Sequence, residues 1–153
     1  MEIIKDEPKV STLAHVQSVW THQKANSPIY ALLLPDIILT SAVPGTIHAS
    51  LRVSGTHVNS KGGLHGTLTA CLVDWAAGMA IASYGGSYTG VSTDIHVSYL
   101  AAAKDGEVLE IEGKVAKMGG TLAYVKIEIS KTKEGERVNV AEGLHTKFVK
   151  KRE

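Results

Sequence analysis

The chain has 153 residues, 44% hydrophobic and 20% charged, with a formal net charge of +1. That length suits one domain around one core, and the composition excludes disordered and fibrous classes. The near-neutral charge gives no global reason to expect nucleic acid, and the single cysteine, Cys71, excludes an internal disulfide and a Cys-rich metal site.

Residues 1–8 carry no long apolar run, so no secretory or transit peptide is expected, and the lone cysteine fits a reducing compartment, the cytoplasm. Residues 11 to about 25 read as a helix capped by Ser11 or Thr12, with Leu13, Val16, Val19 and Trp20 on one side. This helix and its lead-in occupy 1–35; the main domain spans 36–150. All four prolines lie at or before Pro44, so nothing later forces a break. Residues 37–43 predict a short strand, 43–46 a turn, and 47–54 a half-buried strand in strict alternation. A polar loop, 57–63, leads into the one long helix, 64 to about 83. That helix is apolar nearly all round and rich in small residues, so it belongs inside, wrapped by other elements.

Gly85 and Gly86 end the helix. Four strands follow, at about 89–100, 107–117, 121–131 and 137–149. The connections at 104–106, 118–120 and 134–136 look like hairpins and predict antiparallel neighbours. The expected fold is α+β: one curved antiparallel sheet of about six strands around a central helix, with an extra N-terminal helix. Its outer edges favour pairing of two copies.

Asp74 stands in the middle of the apolar helix, where a carboxylate is costly unless satisfied or used. His65 and Gly66 stand at the helix start, whose unpaired N–H groups attract a developing oxyanion. Nine residues of helix separate His65 from Asp74 by roughly 13 Å and place them on opposite sides. If both serve one reaction, the second must come from another subunit. Ser92 lacks a nucleophile-elbow setting; it reads as a hydroxyl that positions water or as a plain strand serine. Asn59 is a turn residue that also lies on the approach to the helix start. Cys71 reads as core packing.

The histidines show no ligand spacing, so no metal is expected, and the glycine pairs match no nucleotide-binding fingerprint. The most apolar segment, 70–82, contains Asp74 and is too short to span a membrane. Lys104 and Lys117 flank turns, and Lys147, Lys150, Lys151 and Arg152 gather near the end. They read as solvated side chains, with a polyphosphate ligand as the alternative.

The run Asn59…Leu64-His65-Gly66…Leu72-Val73-Asp74, with Gly90-Val91-Ser92-Thr93-Asp94…Tyr99…Ala103-Lys104, resembles the hotdog-fold acyl-CoA thioesterases. The resemblance is to the phenylacetate-degradation (PaaI-type) group and its eukaryotic thioesterase-superfamily relatives. Gly119-Gly120-Thr121-Leu122-Ala123-Tyr124 and Gly143-Leu144-His145-Thr146-Lys147 extend it. It implies that the Gly66 N–H and Asn59 polarise the thioester carbonyl, and that Asp74 of a partner subunit activates water or attacks directly. Ser92 would hold that water, and His65 would support the thioester end. Coenzyme A contacts would fall at 99–104 and 117–122, among them Tyr99, Lys104, Lys117, Gly119, Gly120 and Thr121.

The resemblance further implies homodimers, often paired into tetramers, and no cofactor beyond the coenzyme A of the substrate. Two residues depart from the pattern. Thr67 replaces a second glycine, and Trp75 follows the aspartate where relatives carry a smaller or polar residue. Trp75, Met79 and Tyr84 are candidates for either the acyl pocket or the core. The expected activity is acyl-CoA thioester hydrolysis, with an acyl-thioester hydratase or dehydratase and a non-catalytic acyl-CoA binder as alternatives.

Overall fold

The computed structural model describes residues 9–150. The stretch 1–8, read above for targeting signals, lies outside it, as do Lys151 and Arg152 of the basic cluster. Helix α1, Thr12–Asn26, is capped by Ser11, whose hydroxyl accepts the Ala14 N–H at 3.1 Å, and it buries Val16, Val19 and Trp20. Helix α2, Pro28–Leu33, was not expected. It is too short to show a periodicity, and its one local signal is Pro28 at the first position, which suits a helix start.

Strands β1 (Ile38–Val43) and β2 (Thr46–Arg52) form a hairpin, and a single 3-10 turn, Gly55–His57, precedes the long helix α3, Gly66–Ala82. Strands β3 (Val91–Tyr99), β4 (Val108–Met118), β5 (Leu122–Lys133) and β6 (Glu136–Phe148) complete one antiparallel sheet in the order β1-β2-β4-β5-β6-β3. The expected α+β fold is thus observed, with the sheet curved around α3. No helix among the described residues is long and apolar enough to cross a membrane.

One expected hairpin is not there. The turns at 118–120 and 134–136 join paired strands, but 104–106 does not, because β3 pairs with β6 at the far edge of the sheet. A tight glycine turn looks the same in sequence whether or not its flanking strands pair with each other. Here the crossover is tied to the loop before α3 instead. Leu64 N–H donates to the Ala103 carbonyl at 2.7 Å, and Gly106 N–H to the Val53 carbonyl at 2.8 Å.

Helix α3 lies closest to the sheet over a row of paired positions, Ile47, Gly113, Ile127, Gly143 and Val97, one from each of five strands. A β-carbon on Gly113 would stand 2.8 Å from the Ala76 carbonyl oxygen, and one on Gly143 2.7 Å from the Val73 methyls. The two glycines therefore let the helix backbone descend onto the sheet. Around this contact Leu72, Ala76, Met79, Ile111, Ile127 and Ile129 are buried, burial that drives the assembly.

Candidate active site

The start of α3 is built by its own cap. His65 has extended backbone and its ring Nδ1 accepts the Thr67 N–H at 3.0 Å, while its carbonyl accepts the Thr69 N–H at 3.2 Å. The Gly66 N–H, as the first of the helix, has no intrahelical acceptor. Asn59 spends only half of its amide locally: Oδ1 accepts from Lys61 N–H at 2.9 Å and Gly63 N–H at 3.2 Å, which leaves Nδ2 as the donor end. Tyr99 lies across the same helix start, its hydroxyl donating to the Gly66 carbonyl at 3.0 Å. Beside it opens a cleft of about 340 Å³ lined by Leu64, Thr69, Tyr99, Ala101 and Val140. Lys104 is exposed at the end of this segment and bridges to Gly63.

Asp74 is a half-buried carboxylate with a donor on each oxygen. Tyr30 donates to Oδ2 at 3.1 Å, and Ser92 donates to Oδ1 at 3.3 Å. His145 Nε2 stands 2.8 Å from Ser92 Oγ and 3.8 Å from Asp74 Oδ1, fully buried on β6. Burial, and then the nearby Lys147 ammonium, push this imidazole below its ordinary range, so it is neutral at neutral pH. The Val73 backbone opposes this shift in part, and Nδ1 has no hydrogen-bond partner among the described residues.

Ser92 reaches Asp74 because β3 carries a bulge. Ser92 is opposite Lys147 and Asp94 is opposite Thr146, so the extra residue, Thr93, puts Ser92 and Asp94 on different faces. Strict alternation would have kept them together. Bulges often re-aim a side chain beside a site in this way.

Lys147 corrects the solvated reading. It is 5% exposed, and its ammonium lies 3.6 Å from the position a β-carbon would take on Gly78, one turn after Asp74. Burial pushes its pKa down, while the Asp74 charge holds it up. Cys71 packs against the core as expected, its thiol pushed up to about 11 by burial and then by Asp74.

Within one protomer these residues form two separate groups. Asn59, His65, Gly66, Tyr99 and Lys104 gather at the start of α3. Asp74 and Ser92 gather with Tyr30, His145 and Lys147 further along it. Eight residues of helix set Gly66 about 12 Å from Asp74 along the axis, and seven positions of β3 set Ser92 roughly 23 Å from Tyr99. The turn holding Lys117, Gly119, Gly120 and Thr121 is exposed and lies at the Ser92 end, since Leu122 and Val91 both pair with Phe148. The two segments expected to contact coenzyme A are therefore at opposite ends of one sheet.

The chain matches the profile of the Thioesterase superfamily over residues 61–138. It is 38% identical over 117 residues to human acyl-coenzyme A thioesterase 13, covering 76% of this chain and 82% of that relative. The chain belongs to the thioesterase superfamily. Zebrafish thioesterase superfamily member 2 shares its fold with a TM-score of 0.80 at 33% identity, covering 92% of this chain and 99% of that one. A hypothetical thioesterase protein from Streptococcus pneumoniae, solved with coenzyme A, gives a TM-score of 0.69 at 27% identity over 76% of this chain and 90% of that one.

The structure places the two residues expected to depart from the family pattern, Thr67 and Trp75. Thr67 is exposed and its N–H is taken by His65, so the Gly66 donor is untouched. Trp75 and Met79 are core residues, 1% and 0% exposed, and Tyr84 lies over Gly45 in the β1–β2 turn. Tyr30 and His145 carry no expected role, and Lys147 only that of a solvated or phosphate-binding side chain. The strand phase of β6 carried a signal for two of them, because Ala141, Gly143, His145 and Lys147 alternate on the helix side. Tyr30 carried none, since its contact with Asp74 spans 44 residues.

Proposed function

We propose that this thioesterase-superfamily chain hydrolyses acyl-CoA thioesters to a free acid and coenzyme A. The observation that carries the reading is Asp74, a carboxylate held by donors on both oxygens yet open on one side, in a chain whose relatives include a named acyl-CoA thioesterase. The thioester carbonyl oxygen sits on the Gly66 N–H and Asn59 Nδ2. Asp74 accepts a proton from a water that Ser92 helps to hold, and the water oxygen attacks the carbonyl carbon. Negative charge moves onto the carbonyl oxygen, where the helix start stabilises it. The intermediate then collapses, the C–S bond breaks, and the thiolate leaves and takes up a proton. His65 supports the thioester end. The carboxylate and the N–H donors supply both base and oxyanion site, so the step asks for no metal and no redox cofactor.

Because the two groups lie apart in one protomer, we place Asp74 of one copy against Gly66 of another in a homodimer, with dimers pairing further into a tetramer. The free edge of β3 supports this assembly: Val91 and Tyr99 are 61% and 59% exposed on a strand with no neighbour on one side. The same pairing brings the Tyr99 to Lys104 segment of one copy towards the Lys117 to Thr121 turn of the other, with Lys104 and Lys117 meeting the phosphates of coenzyme A. The reducing surroundings that suit Cys71 favour the cytoplasm.

Asp74→Asn tests the reaction. The variant keeps acyl-CoA binding and loses turnover, measured as thiol release with a thiol reagent. Parent-like turnover would refute the assignment, and change in enoyl absorbance without thiol release would favour a hydratase.

A further inference from the structure

Behind Asp74 runs an aromatic stack that the reaction above does not use. Trp75, next to Asp74 on α3, meets Trp20 of α1 edge to face with ring centroids 5.5 Å apart. Trp20 meets Tyr30 of α2 in the same manner at 5.7 Å, and the Tyr30 hydroxyl returns to α3 by donating to Asp74 Oδ2. The path thus leaves the helix at residue 75 and comes back at residue 74. Helix α2 is also held from its other end. His57 Nδ1 accepts the Ser54 N–H at 3.0 Å, so its proton lies on Nε2, which donates to the Leu33 carbonyl at 2.6 Å.

Rings with two torsions that are packed edge to face have little freedom to drift, so the hydroxyl arrives at a fixed place. Burial, and then the Asp74 charge, push the phenol far above its ordinary range, so Tyr30 acts as a donor and does not compete as a base. A carboxylate with Tyr30 on Oδ2 and Ser92 on Oδ1 loses both bonds if it rotates.

We propose that Tyr30 is a positioning residue of the active site: it fixes the plane of the Asp74 carboxylate and reserves Oδ1, beside Ser92, for the attacking water. The proposal rests on the thioesterase reading. It also gives Trp75 a role, since that residue packs against Trp20 of α1, the ring on which Tyr30 rests.

Tyr30→Phe removes only the hydroxyl and keeps the ring in the stack. With saturating acyl-CoA, kcat falls about tenfold, the scale of one charge-assisted hydrogen bond made useful in the transition state. KM stays within about twofold, because substrate binding is not the step Tyr30 serves. A purely structural hydroxyl would instead lower thermal stability and leave kcat per folded site unchanged, and that result overturns the proposal. Asp74→Asn run alongside separates the two readings. If it is inactive while Tyr30→Phe keeps the parent kcat, only the role of Tyr30 fails; if Asp74→Asn retains parent turnover, the thioesterase reading fails with it.

Discussion

At His145, burial and the Lys147 ammonium act together to disfavour the protonated ring, and the carboxylates of Asp74 and Asp94 oppose them only in part. The ordinary value is 6.5, and the folded value lies below it. As pH falls through that interval the unfolded chain binds the proton first, so stability present above about pH 6.5 is lost. The thermal midpoint should therefore decline between about pH 7 and 5, with a smaller decline in His145→Gln; parallel curves would contradict this account of the ring. The donor at Gly66 allows a second residue-scale test. Proline suits a first helical position, and His65 before it already has the extended backbone that proline demands. Gly66→Pro should leave α3 intact and remove one oxyanion donor, lowering turnover on the order of 10²–10³. Circular dichroism checks the helix and thiol release checks the rate. Asp74 stands out in the sequence because it is out of keeping with its apolar neighbours, and His65 and Gly66 because they stand at a helix start. Tyr30 does not stand out, because only tertiary packing brings α2 to Asp74.

Among the elements, α3 and its sheet were legible from period and turn chemistry, and their bounds fall within a few residues of the expected ones. What periodicity did not convey is how closely the helix lies on the sheet. That closeness depends on two strand positions, Gly113 and Gly143, where any side chain would meet the helix. Gly113→Ala drives a β-carbon against the backbone of Ala76, which has no rotamer with which to yield, and should cost about 1–3 kcal/mol in urea unfolding. Gly120→Ala, with nothing within 4 Å, is the control and should cost far less. Equal losses would mean that the glycines do not set the helix height. The crossover at 104–106 and the bulge at Thr93 were illegible for a related reason. Local residues specify that a chain turns or bulges, but the choice of partner strand is made by the whole sheet.

For the molecule as a whole, helix geometry alone already required a second copy if His65 and Asp74 serve one reaction. The fold sharpens that requirement, because the two expected coenzyme A segments, at the end of β3 and at the β4–β5 turn, lie at opposite ends of a protomer. In the proposed dimer a complete site takes the helix start from one chain and the carboxylate from the other. Mixing two inactive variants, Asp74→Asn and Gly66→Pro, after dissociation and reassociation tests this directly. Each mixed dimer holds one site with both halves intact and one with neither. Thiol release should recover to about a quarter of the parent rate at equal proportions, as random pairing of two chains requires. A mixture that stays as inactive as its components, while native mass spectrometry shows the mixed dimers to be present, would contradict the shared site.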